Sequence, residues 1–258
     1  MGIIKLITKN VPQYLKKFSK HLLTIQIKEH LMKNSMDFFG KALLAYSEGD
    51  TASFFFVSAS GKKHLHPLSD YFRAYHRFIK LEKKIISMSK GNILDVGCGT
   101  GNYVPYLMKQ GTVLGIDISA NVIQVAKRNK LNNCIVADIF TFKPKKKFDT
   151  IVLVENNLGM AETVQRTEIL LKKLASMLNK EGCILTNARN VPNGTYYIGE
   201  LYPLYKNRRG QKFKWISFNA KFLRKLCAKN NLKLEIVDRD KRHYLAKITK
   251  SPLKPDRR

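Results

Sequence analysis

The chain has 258 residues, of which 47 are Lys or Arg and 19 are Asp or Glu, giving a formal net charge of +28. Hydrophobic residues make up 44% and aromatic residues 10%. This excludes disorder as the main state, because disordered chains lack the apolar surface that offsets chain entropy. No apolar run reaches the roughly 18–20 residues needed to cross a bilayer, and the sequence reads as that of a cytoplasmic protein.

Over residues 13–33, Leu15, Phe18, Leu22, Ile25 and Met32 recur at three-to-four spacing among Lys16, Lys17, Lys20, Lys28 and Lys33. This predicts a basic amphipathic helix with two readings: packing on the domain behind it, or lying on an anionic membrane. A second helix is predicted from Met36 to Tyr46, then a strand over Phe54–Ser58 and a helical stretch from Pro67 to Ser89. From Gly91 onward, short apolar runs alternate with helical patterns. The strand candidates are Asn92–Val96, Thr112–Ile116, Asn133–Ala137, Thr150–Val154 and Cys183–Thr186, with helices at about 102–110, 120–130 and 162–179. That order predicts an α/β fold with a parallel sheet and helices on both faces. A basic, aromatic insertion (191–218) precedes a helix over 219–231, N-capped by Asn219, and two strands, Leu232–Val237 and Tyr244–Ile248. The short turn between those strands favours an antiparallel pair.

Cys98, Cys134, Cys183 and Cys227 are widely spaced with no C-x-x-C, which argues against a zinc ribbon or a disulfide framework. His64 and His66 form a close pair without a third ligand, so they read as part of a polar loop and no metal is expected.

The most informative stretch is Asp95-Val96-Gly97-Cys98-Gly99-Thr100-Gly101, where a buried strand runs into three glycines. A dinucleotide fingerprint would be G-x-G-x-x-G, which sets a pyrophosphate on a helix N-terminus. Here the glycines fall as G-x-G-x-G behind an acidic residue, which suits an adenosine compound without phosphates. The second strand ends in Asp117, placed to accept from ribose hydroxyls. The third ends in Asp138, placed to accept from an adenine amine, with an apolar neighbour to cover the ring. Each Asp alone reads as a turn or cap residue; three acids at three consecutive strand tips read as a site.

These segments, with Gly115-Ile116-Asp117-Ile118-Ser119, Ala137-Asp138-Ile139 and Phe148-Asp149-Thr150-Ile151-Val152, resemble the class I S-adenosylmethionine-dependent methyltransferases. The resemblance implies a seven-stranded Rossmann-like sheet whose last strand is antiparallel, and S-adenosylmethionine as cofactor. It implies that Asp95, Gly97, Cys98, Gly99, Thr100 and Gly101 hold the methionine end, that Asp117 and Ile118 meet the ribose and ring, and that Asp138 and Ile139 bind the adenine. A looser resemblance begins at Met36 and includes Tyr71-Phe72-Arg73; it is to an uncharacterised prokaryotic subgroup whose fourth strand ends in a G-N-N-x-G-like segment. This chain reads Glu155-Asn156-Asn157-Leu158-Gly159 there, departing at Glu155. The implied layout is a basic extension (1–35), an N-terminal helical cap (36–90) and a methyltransferase domain (91–258); residues 1–35 fall outside the resemblance, leaving Met36 as an alternative start.

Methyl transfer needs alignment and water exclusion first, and a base only if the nucleophile must lose a proton. The base candidates are His76 and then Glu155; Asn156 is a further cofactor contact. Acceptor contacts are expected from Tyr71, Arg73, Asn157, Arg189, Tyr196 and Trp215, each of which also has a packing or surface reading. The fourth strand lacks the Pro-Pro-aromatic run of base-modifying amino methyltransferases, so a small-molecule acceptor is the first reading. The alternative is a tRNA or rRNA substrate, because residues 191–258 carry 18 basic against 5 acidic residues interleaved with aromatics.

Overall fold

The computed structural model describes residues 35–252. The amphipathic stretch over 13–33, with its two readings, therefore lies outside the described residues. Helix α1 spans 35–47. Strands β1 (Phe54–Ser58) and β2 (Lys63–Leu65) follow, then two 3-10 turns (Leu68–Phe72, Tyr75–Arg77) and α2 (Lys80–Met88). The expected helical run from Pro67 is thus broken into three pieces.

The alternating region contains β3 (Gly91–Val96), α3 (Val104–Leu107), β4 (Gly111–Asp117), α4 (Ala120–Arg128), β5 (Cys134–Val136), β6 (Phe148–Leu153), α5 (Val164–Met177) and β7 (Leu178–Arg189). After it come β8 (Tyr196–Tyr205), β9 (Arg208–Arg209), β10 (Phe213–Phe218), α6 (Ala220–Lys229), β11 (Leu232–Arg239) and β12 (His243–Lys250). Helix starts follow side-chain caps: Ser119, Thr163 and Asn219 accept from Val122, Arg166 and Lys221 backbone N–H groups. Helix α3 is much shorter than the nine residues expected at 102–110, with Pro105 in its first turn.

The main sheet has the order β11-β12-β7-β6-β3-β4-β5. Strands β3 to β7 pair in parallel, and β12 runs antiparallel to both β7 and β11. Alternate side chains leave opposite faces of a strand, and the core divides accordingly. Leu94, Ile151, Ile184 and Ala246 join a cluster with Leu170 and Leu174 of α5 and Leu223 of α6. Ile93, Val152, Leu185 and Leu245 join another with Leu81 and Ile85 of α2, Leu107 of α3 and Ile123 of α4. Helices therefore cover both faces. Helix α2 belongs to this body rather than to a separate cap.

The chain leaves β3 for β4 and β5 on one side and returns to β6 on the other, so the β3/β6 boundary is the switch point where α/β sheets bind ligands. Over this end sits a second, antiparallel sheet, β10-β8-β1-β2, with β9 on β8. Strand β1 of the expected helical cap pairs with β8 of the expected insertion, Phe56 opposite Pro203. The two segments form one lid, and its own core contains Phe39, Leu43, Phe54, Leu68 and Val122. No helix among the described residues is long and apolar enough to cross a membrane. The four cysteines are buried free thiols.

Candidate active site

After Val96 the backbone turns through Gly97, Gly99 and Gly101 at φ +73°, +58° and +81°, a region that side-chain-bearing residues rarely occupy. The N–H groups of Gly97 and Cys98 donate to the Ile116 carbonyl at 2.8 and 3.0 Å, tying the loop to β4. At the tip of β4, Asp117 accepts from the Gly99 N–H (3.1 Å) and the Ser119 N–H (2.9 Å). Asp138 accepts from the Phe140 N–H at 2.9 Å and so shapes the turn after β5. Asn157 donates to the Val96 and Gly97 carbonyls at 3.2 and 3.0 Å, joining the fourth strand tip to the first.

These groups meet in one cavity of about 340 Å³ lined by Gly97, Cys98, Gly99, Asp117, Ile118, Asp138, Ile139 and Asn157. The other expected cofactor residues lie outside it. Asp95 sits beneath the loop, 1% exposed, with Oδ2 buried and without a hydrogen-bond partner. The Thr100 hydroxyl donates to the Tyr71 carbonyl, and Gly101 packs against Leu131. Asn156 turns away and donates to the Ser217 hydroxyl at 3.0 Å.

Burial, and then the neighbouring Asp117 carboxylate, push the Asp95 carboxyl up to about 7. Burial also raises Asp117, opposed by the backbone N–H groups it accepts from.

The lid supplies the opposite wall: Phe39 and Leu43 from α1, Phe56 from β1, Leu201 from β8, and Phe213 and Trp215 from β10. Tyr71 lines this chamber and reaches the loop, its ring 3.6 Å from where a Cβ on Gly99 would stand. Its hydroxyl is 2.9 Å from Nε2 of His66, which also lines the chamber among Phe39, Phe54 and Phe56. Burial holds His66 down at about 4, so the ring is neutral at pH 7. His66 was read as part of a polar loop. No local signal marks it: β2, with His64, is exposed throughout, and His66, just past the strand's end, is half-buried.

The structure brings Tyr71, Asn157, Trp215 and Glu155 to this cavity but not His76, Arg73, Arg189 or Tyr196. His76 is exposed on the 3-10 turn between Tyr75 and Arg77. Tyr196 is exposed and packs on Phe222. Arg189, also exposed, borders a smaller cavity of about 190 Å³ with His243 and Asn156. Arg73 is committed elsewhere, donating to Glu82 at 2.8 Å and Glu155 at 2.7 Å. Tyr103 donates to Glu82 at 2.9 Å and lies 3.1 Å from Glu155. Enclosure and the nearby Glu82 carboxylate push Glu155 up to about 7. Glu155 also lines both cavities. Arg166, which no motif marked, is the one Lys or Arg among the residues lining the main cavity.

The methyltransferase-domain profile matches residues 87–249. A ubiquinone biosynthesis O-methyltransferase of Coxiella burnetii is 29% identical over 120 residues, 43% of this chain and 49% of that protein. A carboxy-S-adenosyl-L-methionine synthase of Helicobacter pylori is 27% identical over 164 residues, 58% of this chain and 65% of that one. The matched stretch thus spans about half to two thirds of these relatives. Among solved structures, a S-adenosylmethionine-dependent methyltransferase from Bacteroides fragilis in complex with S-adenosyl-L-homocysteine superposes with a TM-score of 0.75 at 24% identity, covering 86% of this chain and 97% of that one.

Proposed function

The chain belongs to the methyltransferase-domain family, and from that premise we propose that it is a class I S-adenosylmethionine-dependent methyltransferase acting on a small molecule. The observation that carries this reading is the larger cavity, which joins the glycine loop and two acidic strand tips to an aromatic chamber under the lid. The cavity suits the cofactor in chemistry: carboxylates line it near the loop, and Gly97 and Gly99 bring the backbone to its wall with no Cβ to fill the space. Bound S-adenosylmethionine supplies an electrophilic methyl group on a sulfonium.

In this reading Asp117 accepts from the ribose hydroxyls, and Asp138 accepts from the adenine amine. Ile118 and Ile139 cover the ring, and the loop holds the methionine end with Asp95 behind it. Tyr71 and the lid aromatics align the acceptor and keep water out, which is most of what an in-line methyl transfer asks of a protein. His66, neutral and hydrogen-bonded to Tyr71, replaces the exposed His76 as the group placed to orient an acceptor hydroxyl or amine. The Coxiella relative's name describes action on a small molecule, in keeping with an enclosed chamber.

The basic insertion gives the RNA alternative no support of its own. Lys206 pairs with Asp50, Lys212 and Lys214 pair with Glu200, and Arg209 stacks on Tyr202. The test is transfer of radiolabelled methyl into fractionated extract. Label in the small-molecule fraction is the expected outcome; label confined to RNA overturns the acceptor class, and no transfer to any fraction overturns the activity.

A further inference from the structure

Four carboxylates, Asp70, Asp117, Asp138 and Glu155, line the main cavity, against one cationic side chain, Arg166. Arg166 lies in the first turn of α5, its backbone fixed by the Thr163 cap at 3.2 Å. Its guanidinium carbon stands 4.4 Å over the Phe140 ring. Its Nε is sealed from solvent and has no hydrogen-bond partner, and no carboxylate among the described residues lies within ion-pair distance of it. Folded proteins seldom leave a buried guanidinium donor unmatched, because the lost hydration is not recovered. Stacking on Phe140 recovers only part of it.

The anion that would complete Arg166 is not supplied by the cofactor in the reading above. The cofactor's one carboxylate belongs to the methionine end at the glycine loop, whereas Arg166 sits on Phe140, two residues beyond the proposed adenine contact Asp138. The cavity is also walled by Phe56, Phe213, Trp215 and Leu201, a largely apolar lining that suits an apolar body.

We propose that the methyl acceptor is a small molecule with an apolar body and a compact oxyanion, carboxylate or phosphate, and that Arg166 receives the oxyanion as a two-pronged donor. This inference rests on the small-molecule methyltransferase reading. The chamber also provides the means to test it without knowing the acceptor, because Trp215 lines the cavity and is the only tryptophan of the chain.

With the protein saturated in S-adenosyl-L-homocysteine, Trp215 fluorescence is followed during titration with benzoate, phenyl phosphate and uncharged benzamide. The expected result is that at least one of the two anions binds about tenfold or more tightly than benzamide, the usual worth of a charged hydrogen bond. The preference disappears in Arg166→Gln and is partly kept in Arg166→Lys. The carboxylate and phosphate arms show which oxyanion fits. Affinity for S-adenosyl-L-homocysteine, measured by calorimetry, stays within about twofold in both variants. Equal binding of anions and benzamide, no binding of any probe, or an anion preference that survives Arg166→Gln overturns the proposal. So does loss of S-adenosyl-L-homocysteine affinity in Arg166→Gln, which would assign Arg166 to the cofactor. If wild type fails to bind S-adenosyl-L-homocysteine at all, the methyltransferase reading itself falls; if it binds and only the anion preference is missing, this inference alone falls.

Discussion

Asp117 and Asp95 lie within one strand tip of each other, yet they present different faces to the site. Asp117 reaches the cavity and already accepts two backbone N–H groups, from Gly99 and Ser119. Replacing it with Ala removes a charged acceptor, and affinity for S-adenosyl-L-homocysteine is expected to fall by on the order of 1–3 kcal/mol. Calorimetry decides this, and unchanged affinity would remove Asp117 from the site. Asp95 is buried with one oxygen unmatched, and its carboxyl is pushed up from 3.8 to about 7. Between those values the folded protein keeps a proton that the unfolded chain has released. The stability contributed by this group is therefore complete below about pH 4 and declines as pH rises through 7. Asp95→Asn keeps the shape without the ionisation, so in the ligand-free protein it should gain stability relative to wild type from pH 5 to pH 8, by on the order of a few kcal/mol at most. Urea melts across that range measure the difference, and a constant offset would mean that Asp95 does not titrate in this window.

At the scale of elements, the segment after β6 shows what a motif can and cannot announce. Glu155 and Asn156 both take left-handed backbone, at φ +56° and +62°, and Asn187 secures the turn: its side-chain oxygen accepts from Glu155 N–H at 2.8 Å and its carbonyl from Asn156 N–H at 2.9 Å. Two residues past Asn157, a Cβ on Gly159 would stand 2.1 Å from the indole nitrogen of Trp215. Gly159→Ala should therefore displace Trp215 and the end of β10, cost about 1–3 kcal/mol as overpacking does, and shift the Trp215 emission. A variant with wild-type stability and emission would show that β10 can move aside freely. The glycine loop and the acids at the strand tips were legible in the sequence because each is a local signal, a few residues long, set by backbone geometry. The β3-to-β7 alternation was legible for the same reason. The second sheet was not, because β1 and β8 lie about 140 residues apart and neither carries a mark of its partner. His66 was passed over in favour of His76 because it lies just past a short strand that is exposed throughout, so no periodicity marks it as inward-facing. Arg166 carries no motif; only the fold sets it over Phe140.

For the whole molecule, the cavity is the seam between two sheets that share little backbone pairing. The main sheet contributes the loop and strand tips, and the lid contributes the aromatic wall. Side-chain ties cross the seam at several points, among them Asn156 to the Ser217 hydroxyl and Tyr244 to the Phe218 carbonyl. Asp37 of α1 accepts from the Ser119 hydroxyl at 3.0 Å and the Asn121 amide at 2.7 Å, at the N-terminus of α4. Val122 of α4 in turn joins the lid's own core. A ligand that fills the seam touches both sheets and binds only the folded protein, so it should raise the stability of both together. At a hundred times its dissociation constant, S-adenosyl-L-homocysteine adds about 2.7 kcal/mol, which for a chain of this size raises the melting temperature by roughly 5–10 °C. The lid should rise with the main sheet: α1 should gain protection from hydrogen exchange along with the glycine loop. In Asp37→Ala, which loosens the tie to α4, the melting shift should persist while the protection of α1 shrinks. Protection confined to the loop in the wild-type protein would show that the lid does not close on the cofactor, and that its aromatic wall answers to the acceptor alone.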